Sequence, residues 1–370
     1  MRGEIVNKPG GRDAWVDYAK AIGIVLVVYG HVARGIFNAG IPLDMPLYRL
    51  VDSVVYSFHM PLFFFLSGLF FFHSLHRRGA VALATNKIDT ILYPYILWSL
   101  IQGLTEVWLS SYTNSKVGLF EVLAVWNPRA QFWFLYALFL VIMTAILVFR
   151  RDNPVLIWAV LFISAVAYCF QGSIPSLLHS HYVVMNFVFF ALGIWFHTVQ
   201  DRLTAHPGRW AAAGAVAFVT VQILFHAGLG LTFDDKGIAS LAVAVVSILA
   251  VASLCLWLAR TPAHWVMTLG EASMAIYLMH VLVGSGMRIL LSRFLGIQDA
   301  VVHLLAGCLA GILLPLLVYL LLHRLKVKGL FEAPAILSAE AWYRRHFGVG
   351  KTASRSAEPL RVPPESNREG

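Results

Sequence analysis

The chain has 370 residues, of which 59% are hydrophobic and only 13% are charged. Soluble domains carry about a quarter charged residues, and the apolar residues here fall in runs of about twenty, the length that crosses a bilayer. A membrane β-barrel would instead need short alternating strands. We therefore predict an all-α, polytopic membrane bundle. A net charge of +9 can indicate a protein that binds nucleic acid. Here, however, the basic residues flank the apolar runs, so we expect no nucleic-acid partner.

Ten spanning segments are predicted in chain order: 18–38, 50–72, 88–109, 131–149, 154–171, 182–199, 210–230, 238–258, 265–285 and 300–322. The polar start has no features of a cleavable signal peptide, so we expect the first helix to remain as an anchor. The bias of basic residues places both termini in the cytoplasm. This divides the chain into a cytoplasmic segment (1–17), a membrane domain (18–322) and a largely disordered cytoplasmic tail (323–370).

Lys20 and His31 are the most informative residues of the first segment. Eleven residues make three turns plus about 20°, so both side chains share one helix face, about 16 Å apart along the axis. An imidazole at this depth is costly and predicts function. The pair suggests an anionic substrate that reaches a base. Asp17 and Lys20 alone are also explained as a charged helix start with a snorkelling lysine.

The second segment carries His59, roughly 14 Å from its predicted outer end. The first two segments are antiparallel neighbours, so His59 and His31 are expected at similar depth. Pro61 follows within the apolar run and predicts a kink. A histidine that only hydrogen-bonds a neighbouring helix is an equally good interpretation of His59.

Two further groups of polar residues have both a functional and a structural explanation. Arg77, Arg78 and Lys87 would lie at the cytoplasmic face, where they could attract the phosphates of a nucleotide-like donor. Ordinary positive-inside topology also explains the two arginines. In the ninth segment, Glu271, Tyr277 and His280 can partly line one face, which is expected to face the bundle interior, either for catalysis or for hydrogen bonds between helices.

Several chemistries lack their signature in the sequence. There is no phosphate-binding loop ending in Lys-Ser/Thr, no His-Glu-x-x-His zinc motif and no Gly-x-Ser-x-Gly elbow. The three cysteines lie inside apolar runs without paired spacing. We therefore expect neither a metal site nor nucleotide hydrolysis.

An ordered set of motifs points to a known family. They are Arg12-Asp13, Asp17, Lys20 and His31; Ser57-Phe58-His59-Met60-Pro61-Leu62-Phe63-Phe64-Phe65-Leu66-Ser67-Gly68; Tyr93-Pro94-Tyr95; Phe132-Trp133-Phe134-Leu135; and Ser273-Met274-Ala275-Ile276-Tyr277-Leu278-Met279-His280. In this order and spacing, over residues 12–322, the chain resembles the family-three membrane acyltransferases. Within that family it is most similar to the sugar and exopolysaccharide O-acetylases related to fucose 4-O-acetylase.

The resemblance implies a ten-helix integral membrane enzyme that moves an acyl group, usually acetyl from acetyl-CoA, onto a carbohydrate hydroxyl. It assigns the essential histidine to His31. The family usually has an arginine where this chain has Lys20, which keeps the charge but loses the bidentate fork. The family often has a basic residue at the position of Thr90, and here Lys87 lies a turn earlier.

Our hypothesis is O-acyl transfer in a bacterial inner membrane to a cell-surface or exopolysaccharide sugar, or to its lipid-linked precursor. His31, His59 and Asp17 are the candidate catalytic residues, and Lys20, Lys87, Arg77 and Arg78 are candidates for binding acyl-CoA. Membrane lipid and polysaccharide-assembly proteins are further expected partners. His31 acts either as a general base or as a covalent acyl carrier.

Two other functions remain open at this point. A proton-coupled transporter or exporter of a sugar or small molecule would use a relay of His31, His59, Glu106 and Glu271. The sequence shows no internal repeat, which disfavours that fold. A scaffold subunit of a polysaccharide-assembly complex would need no buried histidine.

Overall fold

The computed structural model describes residues 13–110, 117–175, 177, 179–327 and 329–347. Within these ranges all regular structure is helical and there is no strand, which confirms the all-α prediction. The predicted N-terminal segment before Asp13 and the tail beyond Phe347 lie outside the described residues.

Seventeen α-helices follow one another along the described parts of the chain. They are α1 (Ala14–Asn38), α2 (Met45–Tyr56), α3 (His59–Leu69), α4 (Phe71–Arg78), α5 (Ala80–Lys87), α6 (Tyr93–Trp108), α7 (Leu119–Leu123), α8 (Trp133–Val148), α9 (Pro154–Cys169), α10 (His181–His197), α11 (Gln200–Thr204), α12 (Pro207–Ile223), α13 (Ile238–Leu258), α14 (His264–Glu271), α15 (Ser273–Ile289), α16 (Ala300–Arg324) and α17 (Ala339–Phe347). Single π-helical turns precede α6 and follow α12 and α15.

Seven helical stretches in the described ranges are long and apolar enough to cross a bilayer, judged by length and composition: Ala14–Asn38, Met45–Arg78, Ala130–Val148, Pro207–Gly228, Ile238–Leu258, Ser273–Phe294 and Ala300–Arg324. Two other predicted segments form shorter apolar helices, α9 and α10. The third predicted segment forms α6 after its π-helical turn. The count of ten spans and the cytoplasmic termini remain predictions.

The second span is broken close to Pro61. Helix α2 ends at Tyr56 and α3 begins at His59. A proline at position 61 cannot donate to the carbonyl of Ser57, so the hydrogen-bond ladder is interrupted there. The break places His59 at the first residue of a new helix.

Helices α3 and α10 cross with their backbones in direct contact. A Cβ atom added to Gly68 would lie 2.0 Å from the carbonyl oxygen of Phe190, and one added to Gly193 would lie 2.0 Å from that of Phe65. Only glycine fits at either position, because any Cβ atom would overlap the backbone of the other helix. Such contacts between small residues are what let two membrane helices approach this closely. The crossing anchors α3, and therefore the helix that carries His59.

The predicted ninth segment, 265–285, is two helices in the structure. Helix α14 ends at Glu271 and α15 begins at Ser273, so the span runs later, over Ser273–Phe294. Helix α14 instead packs against the start of α1, where a Cβ atom on Gly270 would lie 2.1 Å from the carbonyl oxygen of Asp17. This contact between distant parts of the chain has no local sequence signal.

The beginning of the predicted tail is ordered and is fixed to the third predicted segment. The Tyr93 hydroxyl donates to the carbonyl of Gly329 at 2.8 Å, and the Trp98 indole donates to that of Leu330 at 2.7 Å. The carboxylate of Asp89 accepts from the hydroxyl of Ser338 at 2.6 Å. Asp89 therefore caps the start of α17 and holds this part of the tail in place; the prediction of disorder beyond Phe347 concerns residues that the structure does not describe.

Candidate active site

A cavity of about 510 Å³ lies between α1, α3, α6, α8, α15 and α16. The part of α1 that lines it runs from His31 to Asn38. Lys20, near the other end of α1, does not line it. The cavity therefore occupies the half of the bundle that is opposite the predicted donor entrance.

His31 and His280 form an edge-to-face pair in this cavity. Their ring centroids are 4.9 Å apart and the planes are inclined by 76°. The Nδ1 atom of His31 lies 3.0 Å from the carbonyl oxygen of Val27, one turn back on α1. A carbonyl only accepts, so Nδ1 carries the proton and Nε2 keeps a lone pair. His31 therefore has the tautomer that a base or a nucleophile at Nε2 requires.

His59 lines the same cavity and is fully buried. Its Nδ1 atom lies 2.7 Å from the carbonyl oxygen of Val55, and the ring of Tyr56 meets its edge at 4.5 Å between centroids. The structure thus brings the two histidines of the first two spans together around one space.

The cavity also contains an ion pair between Arg34 and Asp52 that the sequence analysis did not predict. Arg34, three residues after His31, donates from Nε and Nη2 to the two carboxylate oxygens of Asp52, both at 2.9 Å. The guanidinium carbon lies 3.4 Å from the ring centroid of Tyr56. Arg34 lies on the same helix face as His31, three residues later, and this spacing could have identified it from the sequence. Its partner on α2 was not visible in the sequence.

A second polar group at the cavity consists of Gln102 and Glu106 of α6 and of Gln131, which lies just before α8. Gln131 donates its amide to Gln102 at 2.6 Å, Gln102 donates to Glu106 at 2.9 Å, and Arg129 donates to Glu106 at 2.8 Å. The Tyr277 hydroxyl donates to the backbone carbonyl of Gln131. These bonds satisfy Glu106 and hold the cavity wall in one arrangement.

Two candidates on α1, the catalytic candidate Asp17 and the donor-binding candidate Lys20, lie away from the cavity. Lys20 pairs with Asp17 at 3.8 Å, and the Asp17 side chain is buried. His31 follows Asp17 by fourteen positions along one continuous helix, which is about 21 Å along the axis. The structure therefore does not bring Asp17 to His31. Glu271, proposed for a transporter relay, does not line the cavity either.

The other three cations lie around α4 and α5. Arg78 pairs with Glu340 of α17 at 2.9 Å, whereas Arg77 is exposed and Lys87 is half-buried. Burial lowers the pKa of the Lys87 ammonium, and the nearby Arg78 guanidinium lowers this pKa further. None of the three lines the cavity. In the described ranges, no cluster of three His, Cys, Asp or Glu side chains could hold a metal ion.

Comparison with known proteins identifies the family. Residues 13–320 match the family described as an acyltransferase domain. The chain belongs to the family-three acyltransferases. The resemblance found in the motifs is thereby confirmed, and together with the long apolar helices it makes the chain an integral membrane member of this enzyme family.

Two curated relatives share parts of the chain. Nodulation protein NolL of Sinorhizobium fredii is 26% identical over 145 residues, which cover 37% of this chain and 36% of the relative. Nodulation protein NolL of Mesorhizobium japonicum is 29% identical over 203 residues, 53% of this chain and 50% of the relative. The similarity thus covers half or less of each relative. No solved structure matches the chain.

Proposed function

We propose that this protein transfers an acetyl group from acetyl-CoA to a hydroxyl of a sugar. The acceptor is a cell-surface glycan or exopolysaccharide, or its lipid-linked precursor, at the bacterial inner membrane. The observation that carries the proposal is the position of His31: a ring whose Nε2 atom keeps its lone pair, in a cavity that several polar side chains line, within an acyltransferase domain.

His31 performs the proton transfers in this proposal. Its Nε2 atom takes the proton of the acceptor hydroxyl while the hydroxyl oxygen attacks the thioester carbonyl carbon. The carbon–sulfur bond then breaks, and the imidazolium returns its proton to the CoA thiolate. In the covalent variant, Nε2 attacks the thioester carbon and the carbon–sulfur bond breaks, so CoA leaves as a thiolate and His31 carries the acetyl group. The sugar hydroxyl then attacks the acetyl carbon, the carbon–nitrogen bond breaks, and the hydroxyl proton passes to the CoA thiolate. The bond from Nδ1 to the carbonyl of Val27 suits both routes.

The donor enters from the end of the bundle where Lys20 lies. Lys20 and Lys87 bind the CoA phosphates, with Arg77 and Arg78 adding positive charge, and Asp17 positions Lys20 through the ion pair without touching the substrate. The phosphates at Lys20 and the thioester at His31 are then separated by about 16 Å, which the extended pantetheine arm bridges.

Deleting the gene and analysing the surface glycan by mass spectrometry tests the proposal. We expect the glycan to lose the mass of one acetyl group per modified sugar, and re-expression to restore it. A glycan with unchanged mass and unchanged ester content would contradict the proposal.

Arg34 is expected to stabilise the negative charge of the tetrahedral intermediate, because it lies three residues from His31 on the same cavity. Replacing Arg34 with lysine keeps the charge but removes the two parallel bonds to Asp52. We expect kcat to fall roughly tenfold or more, since one bond to a charged group is worth about 1.5–3 kcal/mol. Acetyl transfer in detergent or nanodiscs measures it.

The control is Arg293→Lys, an exposed arginine that does not line the cavity. In a double-mutant cycle with Asp52→Asn, the effects of Arg34→Lys and Asp52→Asn should be non-additive. Additive effects, or an Arg34→Lys enzyme with wild-type kcat, would contradict this role for the ion pair.

Lys87 gives donor binding a pH dependence. Because burial and Arg78 lower the pKa of Lys87, its ammonium is neutralised at lower pH than that of an exposed lysine. We expect CoA affinity to fall as pH rises through this lowered pKa. Lys87→Arg should remove the fall, because a guanidinium stays charged. Calorimetry with CoA from neutral to alkaline pH measures it, with Lys326→Arg as a control at an exposed lysine.

A CoA affinity that falls equally in the wild type and in Lys87→Arg would show that another group causes the pH dependence. An affinity that is flat in both would show that Lys87 does not contact the phosphates.

A further inference from the structure

Four histidines around the cavity share one hydrogen-bonding pattern. In each ring, one nitrogen lies within hydrogen-bond distance of a backbone carbonyl. The pairs are His31 Nδ1 with Val27 at 3.0 Å, His59 Nδ1 with Val55 at 2.7 Å, His280 Nδ1 with Tyr277 at 2.7 Å and His303 Nε2 with Ile297 at 2.9 Å. Each carbonyl requires a donor, so this nitrogen carries the proton and the other one keeps a lone pair.

The lone-pair nitrogens of three of these rings have no donor. Nε2 of His59, Nε2 of His280 and Nδ1 of His303 are buried without a hydrogen-bond partner among the described residues. The three residues are 0%, 1% and 2% exposed, and all three line the cavity. Buried acceptors without partners are rare because each costs free energy. Three around one cavity indicate a ligand that supplies donors.

Two neighbouring side chains hydrogen-bond to other partners. The hydroxyl of Tyr277, whose ring lies 6.1 Å from that of His280, donates to the backbone of Gln131. Arg34 directs Nε and Nη2 to Asp52. The cavity therefore offers more ring acceptors than its wall satisfies.

We propose that His59, His280 and His303 each accept a hydrogen bond from a hydroxyl of the acceptor, so that the cavity selects a polyhydroxylated sugar over a simple alcohol. This inference rests on the proposed function, since it concerns the acceptor of that same reaction. His280 is adjacent to His31, so the hydroxyl that it binds neighbours the one that reacts. His280 is thus a positioning and selectivity residue, which determines which hydroxyl is acylated.

An anionic ligand fits these rings poorly. Phosphate and carboxylate oxygens accept hydrogen bonds, and the rings would have to be protonated to donate to them. Several positive charges buried in one cavity carry a large desolvation cost. A polyol needs no such charging, because each hydroxyl is a donor.

Binding of methyl glycosides to the purified protein, in detergent and without acyl donor, tests the proposal. The probes are methyl fucoside, methyl glucoside and methyl mannoside, with their monodeoxy derivatives, and Kd is measured by calorimetry. His280→Leu and His303→Leu remove one acceptor each, so we expect Kd to rise roughly three- to tenfold for each. His280→Gln returns an acceptor oxygen and should recover part of the affinity. His323→Gln, an exposed histidine at the opposite end of α16, should leave Kd unchanged.

The deoxy sugars identify the partner hydroxyl. For one monodeoxy derivative, wild type and His280→Leu should bind equally, because the bond is already absent. His303→Leu keeps the test valid if His280→Leu fails to fold. The inference would be overturned if neither His280→Leu nor His303→Leu changed the glycoside Kd, if the wild type bound no glycoside, or if it bound inorganic phosphate more tightly than any glycoside.

The two proposals fail separately. Histidine-dependent glycoside binding without acetyl transfer would leave this inference standing and refute the proposed function. If acetyl transfer occurs but substitutions of His59, His280 and His303 change neither the acceptor KM nor the regioselectivity, the proposed function stands and this inference is refuted.

Discussion

Replacing His31 with alanine is expected to abolish acetyl transfer while the protein still inserts into the membrane and accumulates. The side chain is half-buried and faces the cavity, so its removal enlarges a space that already exists and costs little packing. Loss of a general base alone lowers the rate roughly 10²- to 10⁴-fold, and loss of a covalent carrier would lower it at least as much. Ester-bound acetyl released from the surface glycan of complemented cells measures the effect.

His73→Ala is the matched control, because this histidine lies in the spanning stretch Met45–Arg78, is exposed and does not line the cavity. It should leave acetylation unchanged. Normal acetylation by His31→Ala would remove His31 from the mechanism. Mass spectrometry of the protein after incubation with acetyl-CoA alone distinguishes the two routes: an acetylated His31 supports covalent transfer, and an unmodified ring supports general base catalysis.

Replacing Gly68 with alanine is expected to prevent the protein from folding. The new Cβ atom would lie 2.0 Å from the carbonyl oxygen of Phe190, and that atom is backbone in a packed helix. Overpacking a core costs about 1–3 kcal/mol when side chains can adjust. Here α3 and α10 would have to separate, so the loss should be larger. Membrane abundance and a single size-exclusion peak in mild detergent measure it.

Gly193→Ala should have the same effect, because the crossing is reciprocal. Gly228→Ala is the control, since this helical glycine has its nearest neighbour, a flexible leucine side chain, at 3.8 Å. It should accumulate normally. A well-folded Gly68→Ala protein would mean that α3 and α10 can separate without cost.

Hydropathy was enough to predict the helical class and the approximate position of most segments, because long apolar runs have few alternatives in a bilayer. Pro61 likewise predicted a kink, and the structure has a helix break at that position. The split between α14 and α15 was not predictable, because it depends on the contact between Gly270 and the backbone of Asp17. The fixed position of α17 depends in the same way on Asp89, which is far away in sequence.

Sequence reasoning selected cavity residues only where a single titratable group stands in an apolar segment, because burying it there costs free energy. His31 and His59 were selected as titratable groups at mid-span, and both line the cavity. The interpretation of His280 stayed open between structure and catalysis, because its contact with His31 joins distant helices. Arg34 and His303 were missed. Each lies near the predicted end of an apolar segment, where a polar residue is common and carries little information by itself.

The backbone contact between α3 and α10 also bears on how the enzyme responds to its lipid surroundings. Since no side chain separates these two helices, their relative tilt has little freedom, and His59 begins one of them. In the span Pro207–Gly228, by contrast, only 17% of an apolar 18-residue window is buried inside the bundle. We therefore expect a change in bilayer thickness to tilt this peripheral span first, while the histidine ring of α3 keeps its position.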